Sequence, residues 1–301
     1  MNSLRYWPGI PRFAGLVCLS LSLLGPGCVS AQSSSVTITP TVVEAGSPVL
    51  IHVEATSDAI LEGEWLGRAL QFFPARDGSG WFALAGVDVE GPIGPSTLRV
   101  GLRMPGAGAI RDLSRQVEIH AAHYRTGRLT VAPKFVEPGA EELARIEAES
   151  KLKATVFAAS AKERLWASSF HAPVNAAPTD SFGTRRMFNG KLASMHKGMD
   201  FRAATGTPVR AGNSGTVVLA RPLYYEGNCV IVDHGLGLFT ISMHLSRIDV
   251  REGQRVAEGE QLGLSGATGR VTGPHLHWAV RWQGAYLDPA KLLRLDLSAV
   301  R

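Results

Sequence analysis

Cysteine is nearly absent from this chain. Of three residues, Cys18 and Cys28 fall within the first 31 positions, and cleavage after Ala31 leaves only Cys229. No intramolecular disulfide is then possible in the mature chain. Cys229 stands in the apolar run Cys-Val-Ile-Val and reads as a small buried hydrophobe rather than a nucleophile. No segment after the first 31 residues is apolar enough to span a bilayer. No lysine and arginine run with interleaved aromatics occurs, which excludes a nucleic-acid partner of the usual kind. Lysine itself is missing between Lys197 and Lys291.

The N-terminus carries an address. Arg5 and Arg12 precede an apolar run over residues 13–24, the length of a signal-peptide core, and Val29-Ser-Ala31 supplies the small residues a signal peptidase reads. The expectation is a signal peptide over 1–31, cleavage after Ala31, and a periplasmic or secreted protein. Cys28 offers a lipid-attachment residue, but Gly25-Pro26-Gly27 stands where a lipoprotein signal has an aliphatic residue. Membrane association is therefore expected only through Cys28. Loss of residues 1–31, which hold two arginines and no acid, lowers the formal charge from +5 to +3. That excess suits an anionic cell-wall polymer and equally a well-solvated surface.

A chain of 301 residues exceeds what one core commonly organises, so two domains are expected. Residues 36–131 hold short β-branched or alternating runs broken by Gly46-Ser-Pro48, Asp77-Gly-Ser-Gly80 and Gly91-Pro-Ile-Gly-Pro95. They predict an immunoglobulin-like β-sandwich over 32–135. His52, His120 and His123 read there as structural or surface residues. Trp65, Phe72, Phe73 and Trp81 read as core in preference to a carbohydrate platform. Pro138-Gly139 opens a run of helix formers, predicting a helical connector within 136–169 that runs to about Trp166, with Leu143, Ile146 and Leu152 near one face. An extended entry follows. Residues 170–301 are glycine-rich with strand pieces and tight turns, predicting an antiparallel β domain. Residues 250–260 resemble the hairpins of lipoyl and biotinyl carriers, but those need an exposed tip lysine, and none is present.

Five of the nine histidines fall between Met195 and Trp278. His196 and Asp200 stand at i, i+4 and His275 and His277 at i, i+2, so a regular strand would turn the latter pair to one face. Imidazole and carboxylate are zinc ligands, and a catalytic zinc takes three of them and keeps a position for water. His234, in Asp-His-Gly, reads as a turn residue, and His171 as an isolated one.

These residues sit in ordered blocks. Phe182-Gly-Thr-Arg185, His196-Lys-Gly-Met-Asp200, Gly206-Thr-Pro-Val209, Gly215-Thr-Val217, Met243-His-Leu245 and Thr268-Gly-Arg-Val-Thr-Gly-Pro-His-Leu-His277 resemble the signature blocks of the M23 (lysostaphin/LytM-like) zinc metallopeptidases. The resemblance covers about residues 181–289. It implies zinc held by His196, Asp200 and His277, with His244 and His275 unliganded beside it to move protons, and a mainly antiparallel sheet with the site in a groove. Two positions depart from the pattern: Ser242 stands where members often have tyrosine, and Ala279 where they often have glutamate. Tyr224 or Tyr225 are candidates to compensate.

The function so implied is a zinc endopeptidase acting on peptidoglycan peptides, cross-links or stems, as a monomer. The alternative is a non-catalytic relative that activates a cell-wall amidase. Specificity is expected in the loops 185–195 and 222–227. With no wall-targeting repeat after Pro289, the expected bond is the D-alanyl–diaminopimelate cross-link rather than a glycine bridge.

Overall fold

Alternation of buried and exposed residues builds the first half of the chain, as in Val36–Thr39, where Val36 and Ile38 point inward. The computed structural model describes residues 35–106 and 109–300, so the signal-peptide reading and Cys28 lie outside the described residues. A four-stranded sheet runs Val36–Thr39, Pro48–Val53, Trp81–Gly86, Phe73–Pro74. A five-stranded sheet runs Val43–Glu44, Ile110–His120, Gly94–Arg103, Ile60–Trp65, Arg68–Ala69. Ile38, Ile51 and Val53 of the first sheet share one core with Leu98, Val100, Val117 and Ile119 of the second, which makes a β-sandwich. Trp65 is 1% exposed and satisfies its buried N–H by donating to Ser96 Oγ at 3.0 Å. Phe73 is also buried in the core.

The second half is organised by an eight-stranded sheet. Its main path runs Pro178–Asp180, Met199–Phe201, Leu276–Trp282, Leu238–Leu245, Gly227–Asp233, Gly215–Leu223, Arg255–Val256, and Ala285–Leu287 pairs off Leu276–Trp282. Every pairing in it is antiparallel. One face, with Leu276, Trp278, Val280 and Trp282, enters the core shared with the sandwich. The other, with Leu219, Ile231, Phe239, Ile241 and Ala279, is covered by Leu152, Val156 and Phe157 of the helix Ala140–Ala158.

That helix departs from expectation in two ways. It stops at Ala158, not near Trp166, because the carboxylate of Asp233 accepts hydrogen bonds from Ser160 Oγ and the Ala161 amide at 2.8 and 2.7 Å. The chain is then led to bury Trp166, which meets Phe73 edge-on with ring centroids 5.6 Å apart. Leu143 is 53% exposed, so the packing stripe lies further along, at Leu152, Val156 and Phe157.

The described residues group into one compact unit rather than two separately packed halves. Leu287 lies so close to Gly86 that an added Cβ would sit 2.5 Å from its Cδ2. Lys291 Nζ donates to Glu44 Oε2 at 2.6 Å, and the Tyr286 amide to Asp88 Oδ2 at 2.7 Å. The short strand Thr126–Leu129, which composition groups with residues 32–135, pairs in parallel with Arg185–Phe188 of the second half. A boundary at residue 135 therefore does not fall at a break in packing.

Candidate metal centre

Strand register brings the site together. Asp200 and His277 are directly paired in neighbouring antiparallel strands, and Met243 pairs with His277 from the other side. His277 alternates with Leu276 and Trp278, both buried in the core, so its ring goes to the opposite face. His196 follows the strand Lys191–Met195 and is fixed by its backbone, its amide donating to Thr184 O and its carbonyl accepting from the Gly183 amide, both at 2.8 Å. Gly198 is required between His196 and Asp200, since a Cβ there would lie 2.5 Å from His277 Nε2 and 2.7 Å from Trp278 O.

Three ligand atoms converge. His196 Nε2 lies 3.0 Å from Asp200 Oδ1 and 2.9 Å from His277 Nδ1, and His277 Nδ1 lies 2.8 Å from Asp200 Oδ1. All three residues are buried, and together they are able to hold a metal ion. His196 Nδ1 lies 2.9 Å from the Ser181 carbonyl, which can only accept, so the ring proton is on Nδ1 and Nε2 offers a lone pair to the cluster. Electron-pair donors packed this closely repel unless a cation sits among them, and two imidazole nitrogens with one carboxylate oxygen suit zinc. The residues present therefore fit the metal. Burial alone would raise the Asp200 carboxyl, but its close contacts with the His196 and His277 rings prevail and hold it well below the usual carboxylate range. Burial, opposed by the contact with Asp200, lowers His277 to about 4, so its ring is neutral and ligand-competent at neutral pH.

Arg186, which the sequence reading did not single out, supports Asp200 from behind. Its Nη2 donates to Asp200 Oδ2 at 2.5 Å and to Asp180 Oδ2 at 2.8 Å. Asp200 is thereby left with Oδ1 alone facing the rings. The sequence gives no sign of which arginine of the pair Arg185-Arg186 does this.

The two further histidines stand alongside. The ring of His244 is centred 4.9 Å from His275 and 6.0 Å from His277, and His275 Nε2 is 3.8 Å from Asp200 Oδ1. His244 Nδ1 donates to the Thr268 carbonyl at 2.9 Å and His275 Nδ1 to the Gly273 carbonyl at 2.8 Å. In both, Nε2 is left as the acceptor. Burial, then repulsion from His277 and His275, lowers His244 to about 3. His244 also sits at a φ of +65°, outside regular strand geometry, and its amide donates to the Glu226 carbonyl at 2.8 Å. His275 lies just before the strand Leu276–Trp282, tied to Gly266 by an isolated bridge.

A cavity of about 700 Å³ opens over this cluster, lined among others by Arg125, Arg186, Tyr225, His244, Arg270 and His275. The strand Thr126–Leu129 contributes one wall through Thr126, Gly127 and Leu129. Residues 185–195, expected as a loop, form a hairpin of the strands Arg185–Phe188 and Lys191–Met195 and line the cavity through Arg186 and Phe188, while residues 222–227 line it through Tyr225 and Glu226.

Other candidates are placed elsewhere. His234 stands directly before the turn at residues 235–237 and is fully buried, donates from Nδ1 to Ser214 O at 2.8 Å, and lies 2.9 Å from Thr240 Oγ1 through Nε2. It takes no part in the cluster. His171 is exposed beside Glu258, with 3.0 Å between Nε2 and Oε1. His52 stacks on Phe82, and His120 and His123 are exposed. Ser242 is buried and does not line the cavity, where its neighbour Met243 does. Ala279 is buried opposite Ile241. Neither Ser242 nor Ala279 itself lines the cavity. Tyr224 donates its hydroxyl to Lys134 O at 2.8 Å, whereas Tyr225 lines the cavity.

A buried His-Asp-His set under a groove, with two further imidazoles at its side, defines a centre of the metallopeptidase kind. Residues 194–289 match the model of Peptidase family M23. Over 114 residues the chain is 42% identical to peptidoglycan DD-endopeptidase ShyA of Vibrio cholerae, a stretch that is 38% of this chain and 26% of that protein. It is 40% identical over 98 residues to DD-carboxypeptidase/endopeptidase Mpg of Neisseria meningitidis, covering 33% of this chain and 23% of the relative. The match thus spans about a quarter of the length of these relatives. A crystal structure of a putative peptidase M23 from Pseudomonas aeruginosa is similar over more of the chain, at 26% identity and a TM-score of 0.65, covering 83% of this chain and 94% of that one. Residues 194–289 are thus a peptidase family M23 domain.

Proposed function

We propose that this protein is an exported zinc endopeptidase that hydrolyses peptide cross-links or stems of peptidoglycan. The observation that carries the reading is the convergence of His196 Nε2, Asp200 Oδ1 and His277 Nδ1 within 3.0 Å of one another at the floor of the cavity. The relatives named as peptidoglycan DD-endopeptidase and DD-carboxypeptidase/endopeptidase support the substrate. The apolar run over residues 13–24 followed by Val29-Ser-Ala31 supports export, with cleavage after Ala31.

His196, Asp200 and His277 hold the zinc, which when bound supplies Lewis acidity toward the scissile carbonyl and the water that attacks it. His244 and His275 handle the protons. Each has its Nδ1 proton committed to a backbone carbonyl and its Nε2 free to accept. One Nε2 takes the proton as the water oxygen adds to the carbonyl carbon, and a protonated ring gives it to the amine nitrogen as the C–N bond breaks. A ring carrying that proton also donates to the oxyanion. Arg186 keeps Asp200 oriented throughout through Oδ2.

A non-catalytic activator of a wall amidase would have no need of this complete constellation, and no feature of the chain favours that role. Digestion of purified peptidoglycan, with mass spectrometry of the released fragments, tests the proposal. Zinc-loaded protein is expected to release muropeptides and His277→Ala protein to release none. An activator would leave the substrate intact yet still stimulate its amidase when His277 is replaced.

A further inference from the structure

Arg270 stands out among the cationic residues of the cavity. Arg186 is neutralised by Asp180 and Asp200, and Arg125 reaches Asp180 Oδ1 at 3.2 Å. The guanidinium of Arg270 is instead flanked by two rings, centred 4.6 Å away for Phe188 and 4.4 Å for Tyr225. Among the described residues no carboxylate lies within 4.0 Å of it. Glu226, which also lines the cavity, is ion-paired through Oε1 with Lys153 of the helix Ala140–Ala158. Arg270 is also firmly placed. Its amide donates to the Tyr225 carbonyl at 2.9 Å, and Gly269 before it lies so close to Gly227 that a Cβ would come within 2.3 Å of the Gly227 nitrogen.

A half-buried guanidinium held by aromatic rings, with no carboxylate in ion-pair contact among the described residues, is suited to receive a carboxylate: its planar fork matches the two oxygens, and its donors are otherwise left under-used. Its position relative to the chemistry is set by the chain. Thr268, two residues earlier, holds His244 Nδ1, and the same loop leads to His275. Phe188 ends the strand Arg185–Phe188 and Tyr225 lies in the turn before Gly227, and both line the cavity, so Arg270 bridges these two segments.

We infer that Arg270 is a specificity-determining residue that receives a substrate carboxylate next to the scissile bond. The inference rests on the peptidase reading above and narrows it. A D-alanyl–diaminopimelate cross-link carries such a carboxylate on the carbon bearing the leaving nitrogen, whereas a glycine bridge carries none there. The site therefore selects cross-links made through a diamino acid with a free carboxyl.

The test uses the full mature chain and two cross-linked muropeptide dimers that differ only in whether that carboxyl is free or amidated. Wild-type protein is expected to favour the free acid in kcat/KM by roughly tenfold to hundredfold, the range for a charge-assisted hydrogen-bonded pair. Arg270→Gln is expected to slow only the free acid and bring the ratio near one, and Arg270→Lys, which keeps charge without the fork, to retain part of it. A wild-type ratio near one overturns the inference. So does a ratio that survives in Arg270→Gln while both substrates slow together, which marks a structural role. If neither dimer is cut, the peptidase reading fails for this bond, and calorimetric binding of the same two dimers decides the inference separately. Weaker binding of the free acid alone in Arg270→Gln upholds it, and equal binding by both proteins overturns it.

Discussion

Asp200 is gripped on both oxygens, by two imidazoles on Oδ1 and by Arg186 on Oδ2. Removing the second grip while keeping the first isolates its value. Arg186→Gln is expected to weaken zinc binding by about 10- to 100-fold, the usual effect of losing a partner behind a metal ligand, as read by competition with a chromogenic chelator. Unchanged affinity would show that Arg186 merely pairs with Asp180. His234 supports a different expectation. Burial holds its folded pKa at about 4, below the ordinary value of 6.5, so the fold takes the neutral ring. Its contribution to stability is complete above pH 6.5 and is lost as the pH falls toward 4, because the unfolded chain then binds the proton more readily. Urea unfolding of metal-free protein at pH 7 and pH 4.5 should show wild type losing on the order of 2–3 kcal/mol more than His234→Gln. Equal losses would remove His234 as a source. At this scale the i, i+4 and i, i+2 spacings brought out the clustered residues, because each spacing is local. Arg186, Arg270 and the burial of His234 were not legible, since they depend on which distant segment arrives beside them.

The loop before His275 and the turn at Gly227 act as a pair. Gly227 has a φ of +62°, and a Cβ on it would strike Thr268, at 2.3 Å from Oγ1 and 2.4 Å from the carbonyl carbon. Since the Thr268 carbonyl orients His244, Gly227→Ala is expected to lower kcat at least tenfold in protein that still binds zinc. Activity within twofold of wild type would show that the contact is slack. On the far face of the sheet, Phe157 meets Phe239 edge-on at 5.1 Å between centroids and lies 3.9 Å from the Arg281 guanidinium. Phe157→Ala should therefore cost about 1–3 kcal/mol in urea unfolding, less than a fully buried phenylalanine. A change below 0.5 kcal/mol on the same assay would mean that the helix contributes little to the sheet. Strands such as Pro48–Val53 and Leu276–Trp282 were legible because β-branched and aromatic residues mark them locally. Thr126–Leu129 carries no such mark and becomes a strand through Arg185–Phe188. The helix end escaped for a similar reason, because Asp233 captures the chain from far along the sequence.

Across the whole molecule, the sandwich and the peptidase sheet share Phe73, Trp166, Leu287 and their neighbours in one core. The mature chain is therefore expected to unfold in a single calorimetric transition, and a fragment of residues 170–301 to melt well below it. Two transitions, the upper one reproduced by the fragment, would show separate domains. The fragment also lacks the Thr126–Leu129 wall of the cavity, so its activity reports on a damaged groove as well as on a missing sandwich. The claim on which everything rests is that His196, Asp200 and His277 hold the ion that the reaction needs. It is tested most directly by measuring zinc content and muropeptide release together on wild-type and His277→Ala protein. The expected result is one zinc per wild-type chain with muropeptides released, and neither in the variant. Hydrolysis that persists in zinc-free His277→Ala protein would contradict it.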